Sequence, residues 1–259
     1  MTKVKAKKYL GQHFLKDKNI AKRIADGLNS DLNHVLEIGP GMGILTQFLT
    51  EKEYPLSVVE IDNESVEYLK QNFDNLNIIE GDFLKLDLQK FGNKIGIIGN
   101  FPYNISTQIL FKIFENRNRV SEMVGMFQKE VAERVVSPPG SKVYGILSVL
   151  LQAFYDTKKL FTVEPGAFHP PPKVRSMVIR LTRNKTEKLA CNEQLFVKIV
   201  KASFNQRRKT IRNSIKNITG NNNFQSEFLT KRPEQLSVAE FVKLTQEVGD
   251  VLNLSLMNV

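Results

Sequence analysis

Between His34 and Thr182 short apolar runs alternate with amphipathic stretches, and this alternation constrains the fold more than any other feature. Val35-Leu36-Glu37-Ile38, Ser57-Val58-Val59-Glu60-Ile61, Asn77-Ile78-Ile79-Glu80, Ile95-Gly96-Ile97-Ile98-Gly99 and Met123 to Phe127 read as strands of a largely parallel sheet. Ile44 to Lys52, Glu64 to Asn72 and Thr107 to Glu115 read as the helices between them, with Ser106 as N-cap of the last. Lys129 to Val136 and Ile146 to Phe154 then look helical around a Ser137-Pro138-Pro139-Gly140 loop. Lys158 to Val163 and Ser176 to Leu181 alternate as a closing pair of strands flanking Pro165 to Pro172. From about Asn184 the strand signals vanish. Leu195 to Lys216 spaces Phe196, Ile199, Val200, Phe204, Ile211 and Ile215 as one helix, Gly220-Asn221-Asn222-Asn223 breaks it, and Pro233 to Leu252 suggests two short helices. The expected architecture is an α/β domain of Rossmann type over residues 1–183, including an N-terminal segment 1–30, followed by a small helical domain over 184–259.

Composition narrows the setting. With 41% hydrophobic and 25% charged residues, the 259-residue chain can bury a proper core. No apolar run approaches the roughly 18 to 20 residues that span a bilayer, and no apolar run follows Met1 to Lys8, so a secretory signal is not expected. One cysteine, Cys191, excludes an internal disulfide framework and a cysteine-rich zinc site; no metal is expected, and the cytoplasm fits best. A net charge of +10 favours nucleic acid as partner, with an anionic membrane surface as the competitor.

The turn after the first strand reads Glu37-x-Gly39-x-Gly41-x-Gly43. Glycines there allow a tight turn and close approach to a ligand, and a following helix N-terminus favours an anionic group. Glu60 ends the second strand, where a carboxylate can accept hydrogen bonds from both ribose hydroxyls. Asp82, in Glu80-Gly81-Asp82-Phe83, ends the third strand and can take an adenine amino group, with Phe83 against the ring. A nicotinamide dinucleotide uses a similar first turn and ribose acid. Against it, Met42-Gly43 breaks the spacing of the dinucleotide fingerprint, and the fourth strand ends in a motif that hydride transfer does not need. S-adenosylmethionine is the expected cofactor.

That motif is Asn100-Phe101-Pro102-Tyr103. An exocyclic amino group on adenine is a poor nucleophile because its lone pair is delocalised into the ring. Accepting hydrogen bonds from the amino hydrogens turns the lone pair towards an incoming methyl group. The Asn100 side-chain carbonyl and a backbone carbonyl of the rigid Pro102 turn can supply two acceptors, and Tyr103 a stacking face. Positioning of this kind contributes several kcal/mol, on the order of a thousandfold in rate, with no nucleophilic residue.

With Gly11-Gln12-His13-Phe14-Leu15 near one end and Phe204-Asn205-Gln206-Arg207-Arg208-Lys209 near the other, the chain resembles the bacterial ribosomal RNA adenine dimethyltransferases. More narrowly, it resembles those that modify two adjacent adenosines in the 3′-terminal hairpin loop of 16S rRNA. The resemblance covers nearly the whole chain. It implies a class I methyltransferase domain with a helical C-terminal domain. It also implies that His13 and Leu15 line the cofactor site, Gly39 and Gly41 contact its methionine end, Glu60 the ribose, Asp82 and Phe83 the adenine, and Asn100 both cofactor and target. Phe168, in Ala167-Phe168-His169-Pro170-Pro171-Pro172, matches the aromatic that sandwiches the target base against Tyr103. His13 stands where many relatives have Asn, and Phe101 where Leu is commoner.

Basic residues crowd into two places: Lys3, Lys5, Lys7 and Lys8, and Lys198, Lys201, Arg207, Arg208, Lys209, Arg212 and Lys216. On one continuous helix Lys201, Arg208, Arg212 and Lys216 share a side away from the apolar stripe. Lys7, Lys8, Arg207, Arg208, Lys209 and Arg212 are therefore candidate phosphate contacts, and the expected state is a monomer. Two other readings stay open: a large-subunit RNA methyltransferase of the antibiotic-resistance type, and a non-catalytic RNA-binding assembly factor.

Overall fold

The computed structural model describes residues 4–29, 31–220 and 224–257; Lys3 and residues 221–223 of the expected breaker lie outside them, as does the side chain of Lys8. The chain divides into two compact units, Met1–Ala132 with Asp156–Arg183, and Glu133–Tyr155 with Asn184–Val259. The sequence reading places 133–155 in the first domain, whereas packing joins it to the helical unit. There Tyr144 stacks edge-on against Phe204 at 6.0 Å, and the Gly140 amide donates to the Glu234 carbonyl at 2.6 Å.

The first unit is built on seven strands: β1 (His34–Ile38), β2 (Leu56–Glu60), β3 (Asn77–Glu80), β4 (Ile95–Asn100), β5 (Val120–Gln128), β6 (Tyr155–Val163) and β7 (Ser176–Arg183). Their order is β3-β2-β1-β4-β5-β7-β6. The first five run parallel, and β7 runs antiparallel to β5. Parallel strands covered on both faces need apolar side chains on both, which is why they read as near-continuous hydrophobic runs. The right-handed rule for parallel crossovers puts α2 (Thr46–Leu49) and α3 (Asn63–Asn72) on one face and α4 (Ser106–Glu115) on the other, because chain order reverses between β1 and β4. On the first face α1 (Lys18–Ala25) buries Ala21, Ile24 and Ala25 against Val35, Ile98, Val124 and Val178. A two-residue ribbon pairs Phe14 with His169 and Leu15 with Phe168, closing the N-terminal segment onto the Pro-rich connection.

Two local expectations change. The glycine loop continues as turns to Leu45, so α2 starts only at Thr46 and presents no long helix N-terminus to a ligand. Ser106 is the first residue of α4 rather than its cap. Its hydroxyl instead donates to the Pro102 carbonyl at 3.0 Å.

In the second unit α5 (Lys129–Val136), which spans the division, is followed by α6 (Ile146–Gln152), α7 (Glu193–Asn205), α8 (Ile211–Ser214), α9 (Lys216–Thr219) and α10 (Val238–Met257). The single helix expected over 195–216 is broken after Asn205. The Ile211 and Arg212 amides turn to the Lys231 and Leu229 carbonyls, at 2.9 and 3.1 Å, instead of to the preceding turn. Between Pro233 and Leu252 there is one 3-10 turn and one long helix, not two short helices.

Candidate active site

A pocket opens beyond the carboxyl ends of β1 to β4, at the point where chain order reverses, the place where open parallel sheets bind ligands. Its walls include His13, Gly39, Gly41, Glu60, Asp82, Phe83, Asn100, Pro102 and Tyr103. Strand ends set these residues side by side although they lie far apart in sequence.

Glu60 is buried at the end of β2. One carboxylate oxygen accepts from the Gly41 amide at 3.0 Å, the other from the Ile61 and Asp62 amides, each at 2.9 Å. Burial pushes its carboxyl above the usual range, and these three amides oppose the shift. A carboxylate has about four acceptor sites, so about one remains for a ribose hydroxyl rather than the two expected. Gly41 takes a left-handed φ of 57°, and a Cβ there would lie 2.8 Å from the Phe14 ring, so only glycine fits the turn that delivers its amide to Glu60.

Asp82, two residues beyond the end of β3, lines the pocket and spends Oδ1 on the Leu84 amide at 2.8 Å, leaving Oδ2 uncommitted. Phe83 is buried beside it. Lys112 ties this turn down by donating to the Leu84 and Leu86 carbonyls at 3.0 and 2.6 Å.

Asn100 ends β4. Its Nδ2 donates to the His13 carbonyl at 2.9 Å. A carbonyl can only accept, so the amide nitrogen must face it and Oδ1 is left as a directed acceptor. The Pro102 carbonyl already receives the Ile105 amide and the Ser106 hydroxyl, at 3.3 and 3.0 Å. No donor among the described residues meets the Phe101 carbonyl, which makes it the better second acceptor in the turn. The Tyr103 hydroxyl shares a hydrogen bond of 2.5 Å with Ser176 Oγ, and burial raises its pKa with that bond opposing. His13 lies 5.4 Å from the Tyr103 ring. Its Nδ1 faces the Pro170 carbonyl at 2.8 Å, which fixes the proton there and leaves Nε2 as an acceptor in the neutral ring.

Three expected residues are placed elsewhere. Phe168 is 1% exposed and packs in the core with Ile24, Val124 and Val178, so it offers no face to a base here. Leu15, paired with it across the ribbon, belongs to the same core and borders an adjoining hollow with Glu37, Gly39 and Asn100. The alternation of the ribbon turns both side chains inward. Lys7 is held by Asp62 and by Glu64, the latter at 3.2 Å, instead of standing free for a phosphate.

The Arg207 guanidinium donates to the Ser141 carbonyl at 3.4 Å, while Arg208, Lys209 and Arg212 are exposed. The break after α7 means that they do not form one helical stripe. Sequence reasoning also passed over Gln12, Asp62, Asn104 and Ser176, whose roles come from partners distant in sequence. Only Asp62 carries a local signal, an Asp-x-Glu start to a helix, and it does cap α3.

Glycine turn, buried ribose acid, third-strand aspartate and an oriented asparagine amide together define an S-adenosylmethionine-dependent methyltransferase acting on an amino nitrogen. The ribosomal RNA adenine dimethylase family model matches residues 3–248. The small-subunit ribosomal RNA methyltransferase A of Phocaeicola vulgatus is 57% identical, covering 96% of this chain and 91% of that protein. Its counterpart in Cytophaga hutchinsonii is also 57% identical, over 95% and 98%. The crystal structure of a dimethyladenosine transferase from Plasmodium falciparum superposes with a TM-score of 0.78 at 27% identity, covering 92% and 98%. The 23S rRNA methyltransferase ErmE shares the fold, with a TM-score of 0.66 at 24% identity over 90% and 99%. The chain belongs to the ribosomal RNA adenine dimethylase family.

Proposed function

We propose that this protein dimethylates N6 of two adjacent adenosines in the 3′-terminal hairpin loop of 16S rRNA, as a cytoplasmic monomer acting during small-subunit assembly. The observation that carries the reading is the Asn100 amide nitrogen held by the His13 carbonyl, which leaves Oδ1 as the acceptor of a side chain fixed in the same turn as the Phe101 carbonyl. Small-subunit rather than large-subunit RNA is supported by relatives named for the small subunit at 53 to 57% identity.

The pocket fits the cofactor on its own donor and acceptor set: Asp82 Oδ2 and the last acceptor site of Glu60 are uncommitted, and Phe83 supplies an apolar wall. S-adenosylmethionine, when bound, supplies an electrophilic methyl group on a sulfonium. Asn100 Oδ1 and the Phe101 carbonyl accept the two N6 hydrogens of the target, turning the nitrogen lone pair out of conjugation. Tyr103, anchored by Ser176, offers the stacking face for a base drawn out of its RNA stack. After the first transfer one N–H remains for two acceptors, so the second transfer depends on the same oxygens with a weaker grip. Arg207, Arg208, Lys209 and Arg212 contribute phosphate contacts that hold the RNA without reading its sequence.

The test uses purified protein, labelled S-adenosylmethionine and undermethylated small-subunit particles, with large-subunit RNA in parallel. Label in dimethyladenosine of the small-subunit RNA is expected. Label confined to large-subunit RNA would overturn the reading.

A further inference from the structure

The segment 7–13, of which Leu10 to His13 line the pocket, is held by two anchorages. At one end Lys7 pairs with Asp62, and Gln12 Nε2 donates to Asp62 Oδ2 at 3.4 Å. The Lys7 amide donates to Gln12 Oε1 at 2.8 Å, so the two tethered side chains also hold each other. At the other end Asn104 Nδ2 donates to the Tyr9 carbonyl at 3.4 Å. Gly11, at a φ of 65°, sits so close that a Cβ would come within 2.9 Å of Asn104 Oδ1. Leu10 to Phe14 line the pocket, and directly after Gln12 the strap reaches the His13 carbonyl that holds Asn100 Nδ2.

The Asp62 side chain is 0% exposed. A buried carboxylate persists only when it is well paired and hydrogen-bonded. Besides Lys7 and Gln12, it accepts from Ser65 Oγ at 3.0 Å and from the Glu64 amide at 3.4 Å. It therefore joins three things: the helix start after β2, the strap, and the backbone amide that Asp62 itself donates to Glu60.

We infer that Asp62 is a positioning residue that holds the 7–13 strap closed over the cofactor through Lys7 and Gln12, and thereby fixes the His13 carbonyl that orients the Asn100 amide. It acts through the strap and touches neither reactant. The inference rests on the methyltransferase reading of the pocket.

Two variants separate this from a folding role. Asp62→Asn keeps a side chain able to cap α3 and removes the anion; Lys7→Met keeps the apolar stem and removes the cation. Cofactor affinity is read on the full chain by calorimetry with S-adenosylmethionine and no RNA, and kcat and KM with undermethylated small-subunit particles. Each single variant is expected to weaken cofactor binding about tenfold, with the double variant no weaker, because both break one link. kcat is expected to fall by about threefold to tenfold, and Lys7→Arg to restore near-normal values. Thermal midpoints should stay within about 2 °C of the parent for Asp62→Asn but fall by several degrees for Lys7→Met, which leaves a buried carboxylate unpaired, so equal losses of affinity in the two variants do not track stability. Cofactor affinity unchanged in both single variants, effects that add in the double variant, or losses that track a falling thermal midpoint would each overturn the inference. Parent protein that binds no S-adenosylmethionine would overturn the methyltransferase reading itself.

Discussion

In the pocket, Glu60 accepts three backbone amides, the Asn100 amide is held by a carbonyl, and the Tyr103 hydroxyl is tied to Ser176. Along the connection from α7 to α9, by contrast, Arg208, Lys209 and Arg212 stand in solvent on a stretch interrupted by turns. The first region is preorganised: each group is aimed before a ligand arrives, so little ordering remains to oppose the reaction. The second offers charge without fixed direction, which suits a flexible polyanion whose phosphates vary in position. One region should fail steeply when a single atom is removed, the other gradually and in proportion to charge.

The sharpest break in that contrast is Asn100→Ala. Loss of the directed acceptor should lower kcat by about a hundredfold or more, since a preorganised dipole of this kind is worth roughly 3 kcal/mol in the transition state. RNA affinity measured by filter binding should stay within about twofold. Near-normal turnover in that variant would show that the amide is structural. Neutralising Arg208 and Arg212 to Gln should weaken RNA binding by about tenfold at moderate salt. It should also flatten the plot of log affinity against log salt by roughly 1.4 to 1.8, with kcat at saturating RNA retained. An unchanged slope would remove these residues from the interface.

A smaller effect tests how rigid the pocket is at the Glu37 end. Burial pushes the Glu37 carboxyl up to about 8 from 4.5, with the Thr46 hydroxyl, 2.6 Å away, opposing. A folded pKa above the unfolded one gives stability that is present at low pH and lost as pH rises. Thermal stability should therefore fall between about pH 4.5 and 8 and level off above. Glu37→Gln should remove most of that fall in stability across the window. Some slope should remain, because burial also raises Glu60 and Glu122. The smallest change is expected from Tyr103→Phe, which keeps the ring and loses the Ser176 bond. KM for RNA should rise about threefold with little change in kcat, and Ser176→Ala should match it. A larger loss in kcat would mean that the hydroxyl does more than hold the ring.

The same contrast explains what could be read along the chain. The strands of the pocket were legible because burial on both faces leaves runs such as Val35-Leu36 and Ile95 to Ile98 that no exposed element tolerates. With the strands known, Glu60 and Asn100 follow as last residues of theirs, and Asp82 two positions beyond the end of β3. The 195–216 helix was misread because its period persists past Asn205, while the Lys231 and Leu229 carbonyls, far ahead in sequence, capture the amides that would continue it. Motif alone points Phe168 and Leu15 to the pocket, whereas the pairing of their two-residue strands turns the Phe168 ring and the Leu15 methyls into the core.

The amino-acid sequence by itself determined the parallel sheet, the acids at its strand ends and the asparagine motif, because periodicity and turn chemistry are local properties. Tertiary structure alone decided the direction of the Asn100 amide, the capture of Lys7 by Asp62 and the break in the basic helix. Each of these turns on a hydrogen-bond partner at long sequence separation, and a side chain or amide with several possible partners is committed only when the fold brings one of them within reach.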